Sequence, residues 1–334
     1  FVRWFFLSFI LISLYSCSSP TQKDYNFRCH EIRGGVDIGS GSTKFVLAKI
    51  DKCKKVLLAV IDEQNFAIKF KESLHLHDNR ISDELYDEAK SAVKSFITSR
   101  RVSASQLRGV ATEVFRQAKN GQSVIERLSR ETGLAVKLID QKKEADLGFW
   151  AVIGLTGKDP NQVMVWDIGG GSMQMTVSRK DHLFSYLGKL ASVSFKNYVL
   201  EQKDLRRGSP NPIGPYTGVQ TFNHAFDTAK KEVDPEIKQE AKSREVIGIG
   251  GVHYYSVREQ LGRKPGSPYS LYELLSESNK RVNWSDKDFQ GLYKETEATN
   301  LLLVGAYMKA LEIETVLPMK VNLATGVLFD DSLW

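Results

Sequence analysis

Residues 36–46 read VDIGSGSTKFV, and residues 166–177 read WDIGGGSMQMTV. Each stretch is an apolar strand that ends in aspartate, a turn of glycine and serine, and a second strand. The aspartates, Asp37 and Asp167, lie 130 positions apart (167 minus 37). The pair predicts two β-hairpins with phosphate-sized loops, one in each half of the chain.

Outward from the hairpins, strands and helices alternate. Apolar residues at Leu85, Ala89, Ala92, Val93, Phe96 and Ile97 recur with a helical period. Ser82 suits the N-cap of that helix, which is predicted to run to Arg100. A buried strand is expected at 106–112, a helix at 123–132 stopped by Gly133, a strand at 134–139, and a helix at 142–153 stopped by Gly154. Further helices are expected near 194–202, 219–233, 269–280 and 296–311, with a strand at 245–249 leading into Gly250-Gly251. This order predicts an α/β fold of two related domains facing a cleft.

The chain has 334 residues, 42% hydrophobic and 26% charged. That mix excludes disordered and fibrous classes, and the length supplies a core without disulfide staples. A net charge of +6 fits a polyanionic ligand without demanding one. Three cysteines are too few for a disulfide scaffold or a four-cysteine zinc site.

The first residues read FVRWFFLSFILISLYSCSSP. Arg3 precedes an apolar run from Trp4 to Tyr15, of signal-peptide length and short for a membrane span. Leu14-Tyr15-Ser16-Cys17 resembles a bacterial lipoprotein signal. That implies lipidation of Cys17 and an exported protein anchored to a membrane and facing the periplasm. An ordinary secretory signal, giving a soluble periplasmic or secreted protein, is the alternative. Export would permit a disulfide. If the first hairpin turns at Ser40-Gly41, the numbers of paired residues sum to about 81. Cys29 and Cys53 sum to 82, so they are expected to face each other and bond.

A tight Gly/Ser turn exposes successive backbone N–H groups to an anion. The candidate phosphate-binding residues are therefore Gly39, Ser40, Gly41, Ser42, Thr43 and Lys44 in one half, and Gly169, Gly170, Gly171 and Ser172 in the other. An aspartate just before such a turn suits a divalent ion, because hard cations prefer carboxylate oxygens.

The succession DIGSGS, ATEVFRQAKNG, a Glu-Ala pair, DIGGGS and IGIGG resembles the exopolyphosphatase and guanosine-pentaphosphate phosphohydrolase family. The resemblance is to its short, two-domain members and runs from about residue 33 to 330. It implies two actin-like, ribonuclease H-like domains. The first is expected over 28–141 plus 317–334, and the second over 142–316, after a signal and tether at 1–27. It implies removal of terminal phosphate from polyphosphate or guanosine pentaphosphate, with magnesium or another divalent cation. Carried over by position, Glu144 is the catalytic glutamate and Asp146 its fallback. Arg116 is the arginine that grips phosphate, Asp167 the metal-associated aspartate, and Asp37 its counterpart.

The sequence departs from the family pattern after DIGGGS, where Met173-Gln174 replaces a Thr-Glu pair. Gln174 keeps an oxygen ligand and loses a charge, so weaker metal binding is expected. A phosphate-chain binding or sensing lipoprotein without turnover is the second functional class. A kinase of the same superfold is a third, and no acceptor-site constellation stands for it. Arg206-Arg207 read equally as contacts for a long anionic chain and as solvated charge, whereas His75 and His77 read as solvent-exposed loop residues rather than metal ligands. The basic runs lack interleaved aromatics, so nucleic acid is not an expected partner. A homodimer is allowed.

Overall fold

The first hairpin forms where expected because glycine and serine carry the turn and β-branched and aromatic residues flank it. In the computed structural model, which describes residues 29–74, 76–180, 182–202, 217–282, 284, 288–289 and 294–334, β1 (His30–Ile38) pairs antiparallel with β2 (Thr43–Asp51). Partner numbers sum to 81 along the whole ladder, from His30 and Asp51 to Ile38 and Thr43. Just beyond its open end, Cys29, one residue past the ladder, and Cys53, two residues past it, form a disulfide with Cα atoms 5.4 Å apart. β3 (Val56–Phe66) adds antiparallel to β2.

The rest of the first sheet is parallel. After α1 (Phe70–Leu74) and α2 (Asp83–Arg100) come β4 (Leu107–Ala111), α3 (Glu113–Gln117), α4 (Gly121–Thr132) and β5 (Ala135–Leu138). Ser82 caps α2, its side chain accepting from the Leu85 N–H, and Gly133 closes α4 at φ +76°. The strand order is β3-β2-β1-β4-β5.

The second half repeats that order. After α5 (Gln141–Thr156) come β6 (Val163–Ile168), β7 (Met173–Arg179), β8 (His182–Gly188), α6 (Ser192–Gln202), α7 (Thr217–Glu232), α8 (Pro235–Ser243) and β9 (Glu245–Ile249). A π-helical segment (Val252–Val257) runs into α9 (Arg258–Gln260). Next are β10 (Tyr269–Ser270), α10 (Leu271–Arg281), α11 (Glu297–Leu311) and β11 (Thr315–Pro318). The sheet is ordered β10-β11-β9-β6-β7-β8, so β8-β7-β6-β9-β11 mirrors the first sheet strand for strand. This duplicated meander-plus-parallel sheet is the actin-like, ribonuclease H-like arrangement. The last helix, α12 (Leu323–Val327), packs back on β1 and α5. A boundary at 316/317 falls inside β11, which belongs to the second sheet.

One helix end differs from expectation. α5 runs past Gly154 and stops at Gly157, which takes φ +64°. Gly154 sits inside the helix because a Cβ there would lie 2.0 Å from the Phe329 ring. Among the described residues no helix is long and apolar enough to cross a membrane. Cys17 and the rest of the segment expected to be a leader lie outside the described residues, as do His75 and Arg206-Arg207.

Candidate functional site

The two glycine turns share their internal bonding. The Gly39 N–H donates to the Ser42 carbonyl and the Gly169 N–H to the Ser172 carbonyl, both at 3.0 Å. Each loop is also tied to the helix beyond its third strand. The Lys71 N–H of α1 donates to the Ser40 carbonyl at 3.0 Å. In the second loop the Gly170 carbonyl, 130 residues on from Ser40, accepts from the Val193 N–H of α6 at 2.8 Å, and the Gly169 carbonyl accepts from the Ser192 N–H at 3.2 Å. Helix N-termini carry N–H groups without partners inside the helix, and the loops supply acceptors. The same bonds engage those carbonyls with helix N–H groups.

Both loops line one cleft of about 250 Å³. Gly39 and Ser40 line it from the first loop, and Gly169, Gly170, Gly171 and Ser172 from the second. Lys44, Asp37, Asp167, Glu144 and Gln174 complete the set that the sequence singles out. The rest of the first loop stands differently. Thr43 is fully buried as the first ladder residue opposite Ile38, so its side chain lies outside the cleft. Gly41 sits at the open tip of the turn, and Ser42 lines an adjoining cavity of about 470 Å³. A wider groove of about 710 Å³ beside α2 is lined by Glu84, Asp87 and Glu88 and, among the described residues, by no cation, which unfits it for phosphate.

Glu144 stands in the first turn of α5, whose N-cap Asp140 accepts from the Lys143 N–H at 2.7 Å. Arg116 of α3 donates from Nη2 to Glu144 Oε2 at 2.8 Å and from Nη1 to the Ile139 carbonyl at 2.6 Å. The guanidinium thus holds Glu144 and is not among the groups lining the cleft. Burial, with smaller pushes from Asp167 and Asp37, raises the Glu144 carboxyl to about 7 against the pull of Arg116. Asp146 pairs with Lys142 one turn back and lies outside the cleft lining.

The aspartates occupy matching ladder positions, Asp37 opposite Lys44 and Asp167 opposite Gln174. Asp37 Oδ2 is 3.6 Å from Lys44 Nζ, while its buried Oδ1 has no hydrogen-bond partner. Burial raises both carboxyls, that of Asp167 to about 6. Gln174 is buried and donates from Nε2 to Ser172 Oγ at 3.0 Å. A divalent cation fits here: the donors are hard oxygens, one is orphaned, and burial disfavours their charge until a cation arrives. Among the described residues, the metal-binding side chains that converge three together within 4.8 Å are Cys29, Asp51 and Cys53, whose sulfurs bond each other. An ion in the cleft would therefore keep part of its water shell.

Sequence reasoning missed several cleft residues. Glu113, paired with Lys71 at 3.5 Å, fills the space that Gly171 leaves: a Cβ on Gly171 would meet its Oε1 at 2.6 Å. Gly250 takes φ +82°, and a Cβ there would lie 2.3 Å from Asp167 Oδ1. Asn322, the N-cap of α12, closes the far wall. Glu113 stands in the ATEVFRQAKNG segment already singled out, and Gly250 in the IGIGG run. Asn322 opens the C-terminal segment expected to return to the first domain, and tertiary packing places its side chain at the cleft.

The model of the Ppx/GppA phosphatase family matches residues 46–208, which contain Arg116, Glu144 and the whole second glycine loop. Exopolyphosphatase 1 of Mycobacterium bovis is 30% identical over 97 residues, covering 29% of this chain and 27% of that protein. The bifunctional 3-dehydroquinate synthase/phosphatase of Fusobacterium nucleatum is 24% identical over 162 residues, 44% of this chain and 23% of that protein. The matches thus span about a quarter of the length of these curated relatives. The crystal structure of the Aquifex aeolicus Ppx/GppA family member superposes with a TM-score of 0.75 at 18% identity, covering 91% of this chain and 98% of that one, which shows the shared fold. Over that central segment, and in the fold that its duplicated sheets share with the Aquifex aeolicus protein, the chain is similar to the Ppx/GppA phosphatase family.

Proposed function

We propose that the chain hydrolyses phosphoanhydride bonds and releases terminal phosphate from polyphosphate or guanosine pentaphosphate. The observation that carries this reading is Glu144, held by Arg116 in a cleft lined by both glycine loops and poised to titrate near neutral pH. In-line attack needs an oriented water and positive charge or donors around the phosphoryl oxygens. Backbone N–H groups of the loops and Lys44 would hold the phosphates. Glu144 would orient the water and take its proton, and a carboxyl near 7 suits that task. Arg116 acts as a positioning residue for Glu144. Asp37 and Asp167 would hold a divalent cation, directly or through water, with Gln174 beside them. Such a cation, when bound, offsets phosphate charge.

Phosphate release from the two substrates in parallel, with magnesium, tests the reading. Glu144→Gln is expected to cost about 100-fold or more in rate, the usual range for losing a general base. Equal release by both proteins, or none by either, would overturn it. The absence of release with retained polyphosphate binding would favour the second reading, a phosphate-chain binder, which the neutral Gln174 beside Asp167 motivates.

We also propose export and lipid anchoring through Cys17. Radiolabelled palmitate should enter the protein expressed in a bacterium, and Cys17→Ser should abolish the labelling. Labelling that survives the substitution would remove the proposal.

A further inference from the structure

Behind the second glycine loop lies another cavity, of about 430 Å³. Gly169 and Gly170 line both it and the cleft, so loop backbone is the shared wall. Lys196 reaches this cavity from α6 and is only 5% exposed. Its ammonium donates to Glu295 Oε2 at 2.8 Å, and the Glu295 side chain is itself 53% exposed. Lys294 lines the same cavity. The wall around the ammonium is fixed by a relay of polar groups. Ser192 Oγ donates to Asn300 Oδ1 at 2.7 Å, and Asn300 Nδ2 donates to Ser256 Oγ at 3.0 Å.

A buried lysine carries a desolvation cost of several kcal/mol unless an anion answers it. Here the answering carboxylate sits on the solvent side, where leaving the lysine costs it little hydration. An ammonium has three donors, and a phosphoryl group offers more charge and more acceptor oxygens than a carboxylate. Val193 and Val252 add carbon to the cavity wall, which strengthens the field of the charge inside.

We propose that this cavity is a second phosphoryl-binding subsite, in which Lys196 takes an oxyanion in place of the Glu295 carboxylate. The proposal rests on the phosphoanhydride reading for its ligand. Two sources supply the same chemistry: the more distant phosphates of a chain whose end lies in the cleft, and orthophosphate after release.

Calorimetric titration of the full chain with long-chain polyphosphate and, separately, orthophosphate tests the subsite in Lys196→Met and Glu295→Gln. Lys196→Met should weaken binding about tenfold, the value of a charge-assisted hydrogen bond. Glu295→Gln should tighten it, because the internal competitor loses its charge. A gain of affinity cannot come from misfolding. Weakening with polyphosphate alone assigns the subsite to the chain, and weakening with orthophosphate assigns it to the product. Unchanged affinity for both probes in both variants overturns the subsite, and if release still depends on Glu144 the hydrolase reading stands. A wild-type chain that binds neither probe and releases no phosphate overturns both.

Discussion

Glu144 joins sequence to chemistry through its surroundings. The Glu-Ala pair could be carried over from the family pattern, but the carboxyl's environment could not, because α3, β1 and β6 meet it only in the folded chain. Arg116 illustrates the limit. Its place was legible, while its direction, toward Glu144 and the Ile139 carbonyl, depends on how α3 is set against α5. Both Glu144 and Asp167 have folded carboxyls raised above their ordinary values of 4.5 and 3.8. Such groups favour the folded state fully below the unfolded value. That contribution is lost as pH climbs through the folded values, here from about 4 to about 7. Without added cation, Glu144→Gln should therefore melt a few degrees above wild type at pH 8 and level with it near pH 4. A wild type that melts higher at pH 8 would contradict the burial argument. Phosphate release should rise with pH along an acid limb near 7, as Glu144 ionises.

Among the elements, the hairpins and most helices were legible because turn residues and caps mark them locally. β3 was not. Its run Val56 to Ile61 is apolar yet largely exposed on an edge strand, so it lacks the alternation that marks a half-buried strand. The end of α5 was misplaced for a different reason. Glycine usually stops a helix, but Gly154 serves the packing of Phe329 and α5 continues to Thr156. Gly154→Ala therefore sets two effects against each other. Helix propensity gains about 1 kcal/mol, while forcing a methyl into a buried ring costs about 1–3 kcal/mol. The clash should win, lowering the denaturation midpoint, whereas Gly157→Ala has open space and suffers only from its positive φ. A Gly154→Ala protein more stable than wild type would show that Phe329 yields easily.

For the molecule as a whole, the duplication visible in two short motifs extends to sheet order, ladder register and the helix ties of the loops. The return of α12 to the first sheet was expected from the resemblance, which set 317–334 with the first domain, although nothing local in Asn322-Leu323 announces a contact across the chain. The disulfide was legible from hairpin arithmetic alone. Cys29 and Cys53 are 24 residues apart, and closing a loop of that size removes unfolded-state entropy worth about 3 kcal/mol. Cys29→Ser with Cys53→Ser should lower the urea midpoint by a corresponding amount under oxidising conditions. With reductant present the two proteins should unfold alike, and a persistent difference would assign the effect to packing.

The two ladder partners Lys44 and Gln174 occupy equivalent rungs, yet one bears a positive charge and the other none. A scaffold with internal twofold likeness therefore encloses a pocket with a polarity: a linear ligand that is the same from either direction would still experience different neighbours at its two gripped groups. Exchanging the partners, Lys44→Gln with Gln174→Lys, would reverse that polarity while leaving the backbone cradle in place.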